Sequence, residues 1–208
     1  MHPSSIFHTD ADAARAIIAQ SPLATVAANG SDGPVVAIVP LVWREDQSKL
    51  IGHVARTNAF WESLQDQTPI VTAVFRSDDA YVSASAYPSK AEHGKVVPTW
   101  NYIAAEARGE LTFRTELGAI RESVAALSDQ MEAEREMPWA ITDAPDAYID
   151  KLANAIVAFE IRVSGLKGVR KLSQNKNETD RAGVMSDLIK QDAGAERLVK
   201  EMNLETHA

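Results

Sequence analysis

The stretch "LATVAANGSDGPVVAIVPLVW", Leu23 to Trp43, narrows the choice of fold more than any other part of the chain. Two apolar runs flank the turn-forming segment Asn29 to Gly33, which has room for a direct reversal and not for a helical crossover. The pattern recurs. "KLIGHVA" reads as a third strand, residues 69–75 ("PIVTAVF") as a fourth and residues 80–87 ("AYVSASAY") as a fifth. "VVPTWNYIAAEARGELTFR" reads as a sixth strand and "IVAFEIRVSGLKG" as the last strong one. Because short turns join successive strands, an antiparallel barrel is expected rather than a doubly wound parallel sheet.

Helical spacing accounts for the rest. Residues 10–20 place Ala13, Ala14, Ile17 and Ile18 on one stripe behind a Thr9 or Asp10 cap. Residues 58–65 make a short helix, and residues 88–95 a polar loop. Residues 115–136 are amphipathic through Leu117, Ile120, Val124, Leu127 and Met131. "APDAYIDKLANAI" is helical, with Pro145 suited to its first turn. From Asn177 onward the chain is helical and charged, with an interruption at Gly194. The expectation is a mainly β fold with appended helices (α+β): one domain over residues 1–191, a helical insertion at about 115–155, and a helical tail over 192–208.

The sequence also excludes function classes. With 208 residues, 45% apolar and 24% charged, the composition is that of a globular protein. No apolar run reaches the length of a membrane span and the start lacks the n- and h-regions of a signal peptide, so a cytoplasmic location is expected. The absence of cysteine removes disulfides, thiolate metal sites and a cysteine nucleophile. A net charge of −8 works against a nucleic-acid surface spread over the whole molecule. No Rossmann glycine fingerprint, P-loop, H-E-x-x-H or nucleophile elbow occurs, and the five histidines show no ligand spacing, so no metal is expected.

Three stretches carry chemistry. In "GHVARTNAFW", Arg56 sits where a strand gives way to a helix, with Thr57 and Asn58 beside it. Guanidinium, hydroxyl and amide donors at that place suit a phosphate, although a surface arginine next to an Asn cap has the same local sequence. His53 reads as a core histidine or a nearby donor. In "EHGKVVPTWNY", Trp100, Asn101 and Tyr102 suit the edge of a planar ring or the inside of a strand. In "KGVRKLSQNK", Lys167, Arg170, Lys171 and Lys176 occur without an acid, which fits a phosphate, a partner, DNA or an exposed loop.

Taken in this order, with "GPVVAIVPL" upstream, the motifs "GHVARTNAFW", "AYVSASAYPSKAEHGKVVPTWNY" and "VRKLSQNK" resemble the PaiB family of FMN-binding negative transcriptional regulators, over about residues 1–191. The resemblance implies an antiparallel split β-barrel of the FMN-binding type, FMN as cofactor, a homodimer with flavin at the subunit interface, and a link to repression. It implies Arg56 and Asn58, with Thr57, at the FMN phosphate and His53 near the ribityl oxygens. It also implies residues 36–40 beside the ring, Thr99, Trp100 and Asn101 near the ring or the neighbouring subunit, and Lys171, Ser173 and Gln174 completing the interface. Ala59, Ala86 and Glu106 depart from the family pattern, which tends to have Pro, Trp and His there. No helix-turn-helix pattern supports direct DNA contact. The alternative is a flavin-dependent oxidoreductase of the pyridoxamine phosphate oxidase-like superfamily, with no compelling acid or base beyond His93 and Tyr87; a cofactor-free interaction module is the third.

Overall fold

A computed structural model describes residues 4–204. Among these residues the chain forms eight strands and seven α-helices. The strands pair in the order β3-β2-β6-β7-β8-β5-β4, with β1 paired to β8. The pairings β1–β8, β2–β3, β2–β6, β4–β5 and β5–β8 are antiparallel, and of these β2–β3 and β4–β5 are joined by short connections. The chain divides into two compact units. His2 and His207, with the last residues expected in the tail, lie outside the described residues.

One unit comprises Ile18–Phe75 and Glu106–Leu166. In it, β2 (Leu23–Gly30) and β3 (Gly33–Pro40) form the hairpin read from the sequence, closed by the pair Gly30 and Gly33. Gly33 has φ +124°, a conformation that side-chain-bearing residues rarely adopt. Short β4 (Val42–Arg44) and β5 (Lys49–Ala55) follow, then α2 (Ala59–Leu64). α4 (Leu117–Glu132) and α5 (Asp146–Ala153) fill the place of the expected helical insertion. They pack on β8 (Ile156–Lys171) through Ile120, Ala153 and Ala158, while Arg121 ion-pairs with Asp146 and Asp150. Of the apolar stripe expected on α4, Ile120 is buried, whereas Leu117 and Met131 at the ends are exposed. Phe60, Phe113 and Phe159 form a ring cluster with centroids 6.0–6.3 Å apart. Gly109 of β7 (Thr99–Arg114) lies against the backbone of Arg162, with no room for a side chain.

The other unit comprises residues 4–17, 76–105 and 167–204. It holds β1 (His8–Thr9), most of α1 (Ala11–Gln20), α3 (Ser89–His93), α6 (Glu178–Leu188) and α7 (Ala193–Leu204). α6 and α7 bury Val184, Leu188, Leu198 and Met202. Asp180 on α6 is buried and accepts from the backbone N–H and hydroxyl of Ser89, at 3.1 and 2.8 Å.

Several elements differ from the sequence reading. The fourth and fifth strands are one, β6 (Ile70–Val82); the polar run Arg76–Asp79 stays extended, with Arg76 and Asp79 ion-paired at 3.3 Å. Beyond it, residues 84–86 form a 3-10 turn whose start is capped by the Ser83 hydroxyl. The polar loop contains α3, ended by Gly94 at φ +67°. The C-terminal break falls at residues 189–192, where Asp192 accepts from the Ala195 N–H, so Gly194 lies inside the first turn of α7. β1 and β4, at two and three residues, are too short to leave a periodic signal.

Candidate functional site

In the unit formed by Ile18–Phe75 and Glu106–Leu166, the backbone turns directly after β5: the Asn58 N–H bonds to the Ala55 carbonyl at 2.9 Å. Arg56 is fixed twice to the segment after α5. Its backbone N–H donates to the Ala155 carbonyl at 2.9 Å and its Nε to the Asn154 carbonyl at 3.0 Å. Both Nη groups have no acceptor among the described residues, so a half-buried, immobilised guanidinium keeps its outward edge for an anion. Thr57 is exposed beside it. Asn58 is the N-cap of α2, its Oδ1 accepting from the Phe60 N–H at 2.9 Å. That bond satisfies one helix-start amide internally and leaves Arg56 as the main anion donor of the turn.

His53 points the other way from a simple phosphate ligand. Its Nδ1 lies 2.8 Å from the hydroxyl of buried Ser123 on α4, and burial lowers its pKa from 6.5, so the ring is neutral at pH 7. A polar cavity of about 80 Å³ adjoins Ser123, lined by Lys49, Arg114, Glu122 and Glu160. Lys49 meets Glu160 at 2.9 Å and Arg114 meets it at 3.6 Å. At roughly 30 Å³ per water, this space suits two or three waters and is far too small for a flavin.

In the other unit, Thr99, Trp100, Asn101, Lys171, Ser173 and Gln174 come together. The Lys171 ammonium donates to the Thr99 hydroxyl at 2.7 Å and to the Trp100 carbonyl at 2.5 Å. Burial, aided by Lys176, lowers its pKa. Ser173, at φ +62°, donates its hydroxyl to Asn101 Oδ1 at 3.1 Å, and both residues are buried. Gln174 accepts from the Leu172 N–H and donates to the Arg170 carbonyl, closing the turn after β8. Trp100 is half exposed; its Nε1 donates to Asp79 at 2.7 Å and its ring meets Tyr81 edge-on at 5.9 Å. Of this group, Trp100 alone presents a large apolar surface.

Candidate acids and bases are poorly placed. His93 Nδ1 accepts from the Lys95 N–H at 3.0 Å. Tyr87 is buried, its hydroxyl has no hydrogen-bond partner among the described residues, and burial with nearby Asp180 raises its pKa. Lys176 stands 4.9 Å from that ring's centroid. Of the three departures from the family pattern, Ala59 opens α2 in an exposed position, Ala86 is buried in the 3-10 turn, and Glu106 is half-buried on β7. The sequence reading missed Ser123, Asn154 and Asp79. A serine on an amphipathic helix and a backbone carbonyl that accepts from arginine leave no motif; Asp79 sits in a polar run that resembles a turn.

The family described as "Putative FMN-binding domain" matches residues 1–165. The Bacillus subtilis (strain 168) "Protease synthase and sporulation protein PAI 2" is 26% identical over 182 residues, covering 86% of this chain and 84% of that protein. An uncharacterized Aspergillus fumigatus protein is 33% identical over 172 residues, covering 68% of this chain; the chain spans 66% of that protein's length, just under two thirds. Among solved structures, an FAD and heme binding protein from Mycobacterium smegmatis superimposes with a TM-score of 0.60 at 16% identity, covering 84% of this chain and 77% of that one. That likeness is one of fold, the antiparallel split barrel expected from the sequence. The chain belongs to the PaiB-like family of FMN-binding domains, and FMN is its cofactor.

Proposed function

We propose that this protein is a cytoplasmic, homodimeric FMN-binding regulator that holds the FMN phosphate on Arg56, with Thr57 and Asn58 as neutral donors. The observation that carries the assignment is the Arg56 guanidinium, tied by Nε to Asn154 while its Nη edge has no acceptor among the described residues. A guanidinium held in place loses little entropy on binding a phosphate dianion and engages it through two parallel hydrogen bonds. His53, neutral and held by Ser123, supports the β5 strand behind that turn and keeps its Nε2 for a ribityl hydroxyl. Trp100 offers a ring face toward the flavin or a second subunit, while Thr99, Asn101, Lys171, Ser173 and Gln174 shape the backbone that carries it. Bound FMN supplies hydride and single-electron chemistry, which the protein orients. No helix among the described residues is long and apolar enough to cross a membrane.

A second reading, a flavin-dependent oxidoreductase acting on a small molecule, is favoured by the state of the basic segment. Arg170 is ion-paired with Glu201, Lys171 is turned onto Thr99, and Lys176 lies over Tyr87, so of the four cations in this segment Lys167 alone is unengaged among the described residues. FMN titration of flavin-free protein tests the shared core of both readings: saturable binding is expected, and its loss on changing Arg56 to Ala supports the phosphate assignment. Salt-sensitive retardation of promoter DNA separates the regulator from the oxidoreductase, for which NAD(P)H-dependent bleaching of bound flavin is the corresponding signal.

A further inference from the structure

At the tip of the β2–β3 hairpin the outer face of the sheet is hollowed into a groove of about 340 Å³, distinct in its residues from the Arg56 turn. Its floor is small because Ala27 and Thr72 are register partners on neighbouring strands. Pro34 and Ile70 stand along it as apolar walls, with Asn29 at the hairpin end and Arg108 of β7 on the far side. Whereas Arg114 on the same strand meets Glu160 and Glu116, the Arg108 guanidinium has no carboxylate and no acceptor among the described residues. Nor do the Thr72 hydroxyl and the Asn29 amide bond to any other side chain or backbone group there. Three uncommitted polar groups therefore line one groove whose remaining walls are apolar, the composition of a small-molecule site, and its volume falls at the lower end for one.

The anchor is held in place. The Arg108 carbonyl accepts from the Ser164 hydroxyl at 3.3 Å, and the next residue, Gly109, packs directly against the Arg162 backbone. The strand cannot shift, so the guanidinium starts from a fixed root. Glu106 and Glu110 share its side of β7, two residues away in either direction. Their charge repels a dianion more strongly than a monoanion. A planar carboxylate matches the arginine fork, and the walls want a compact apolar body.

We propose that this groove binds a small apolar monocarboxylic acid, with Arg108 holding its carboxylate and Pro34 and Ile70 contacting its hydrocarbon part. The site is independent of where the flavin phosphate lies. Its test is a calorimetric or NMR titration of the FMN-loaded full chain with benzoate, benzamide and phenyl phosphate. Benzoate should bind saturably, with benzamide and phenyl phosphate each about tenfold weaker or worse, the range expected for one charge-assisted hydrogen-bonded contact. Arg108→Gln should weaken benzoate by about tenfold or more while retaining FMN and its thermal midpoint. Arg162→Gln, at another exposed arginine, should leave benzoate binding unchanged. Equal binding of benzamide by the unaltered protein, equal binding of benzoate by Arg108→Gln, or no saturation with benzoate at all would each overturn the assignment.

Discussion

The Nδ1 of His53 and the hydroxyl of Ser123 lie 2.8 Å apart and tie strand β5 to helix α4. Burial lowers the His53 pKa below 6.5, so the unfolded chain takes up a proton at a higher pH than the folded one. Stability should therefore be level above about pH 6.5 and fall as pH drops from there toward the folded value. Its slope is at most about 1.4 kcal/mol per pH unit, less for the exposed part of the ring. Denaturant midpoints at pH 7.5 and 5.5 measure the effect. The His53→Gln variant, which keeps a hydrogen bond to Ser123 but cannot titrate, should lose that difference; an equal drop in the variant places the titrating group elsewhere.

What the sequence makes legible here depends on how local each signal is. The α2 boundary could be read because Asn58 caps the same helix it precedes, and the first hairpin because Gly30 and Gly33 close it within a few residues. The continuity of β6 could not, because Arg76 to Asp79 has turn-like composition and is kept extended by its place in the sheet. Arg56 stands out in the sequence by type and position, but its Nε anchor at Asn154 is 98 residues away. The basic segment after Lys167 misleads for the same reason: its acid, Glu201, is 31 residues further along and arrives only when α7 packs. Local pattern gives the elements, and distant partners decide which charges are free.

Arg56 itself makes the sharpest ligand prediction. Changing Arg56 to Ala should weaken FMN about 10- to 100-fold, measured by quenching of flavin fluorescence on titration into flavin-free protein, because a charge-assisted contact to phosphate is lost. Lysine there should recover only part of the affinity, since it supplies a point charge without the fork and loses the Nε bond to Asn154. Riboflavin, which lacks the phosphate, should bind the unaltered and Arg56→Ala proteins alike. A large loss for riboflavin as well would locate the damage in the fold of the turn.

Gly109 offers a test of the sheet. A Cβ there would overlap the Arg162 carbonyl oxygen and lie 2.7 Å from its carbonyl carbon, so one strand must move. Gly109→Ala should cost about 1–3 kcal/mol or more, as forced overpacking does, even though alanine suits a strand no worse than glycine. Chemical denaturation reads it directly. A neutral result would mean that β7 and β8 separate at little cost and would remove the fixed root argued for Arg108.

The last prediction concerns the outer face of β2, β3 and β6. Ile38, Thr25 and Val74 lie side by side across the three strands, two residues along from the groove floor at Ala27 and Thr72. Leu23, Val36, Ile38 and Val74 are all exposed, Ile38 to 71%, while Ala24, Val26, Ala37 and Val39 on the opposite face are buried. A sheet face this apolar is unstable in water and wants a cover. A second copy provides one economically, because a two-fold axis brings the Ile38 row against its own image. Ile38→Glu then places two carboxylates at one interface, whereas in a monomer it changes an exposed side chain with little effect on folding. Sedimentation equilibrium should report a dimer for the unaltered protein and a shift toward monomer for Ile38→Glu, with the circular dichroism spectrum and thermal onset retained. A dimer of undiminished strength in that variant would put the subunit contact on another face and leave these four side chains to a different partner.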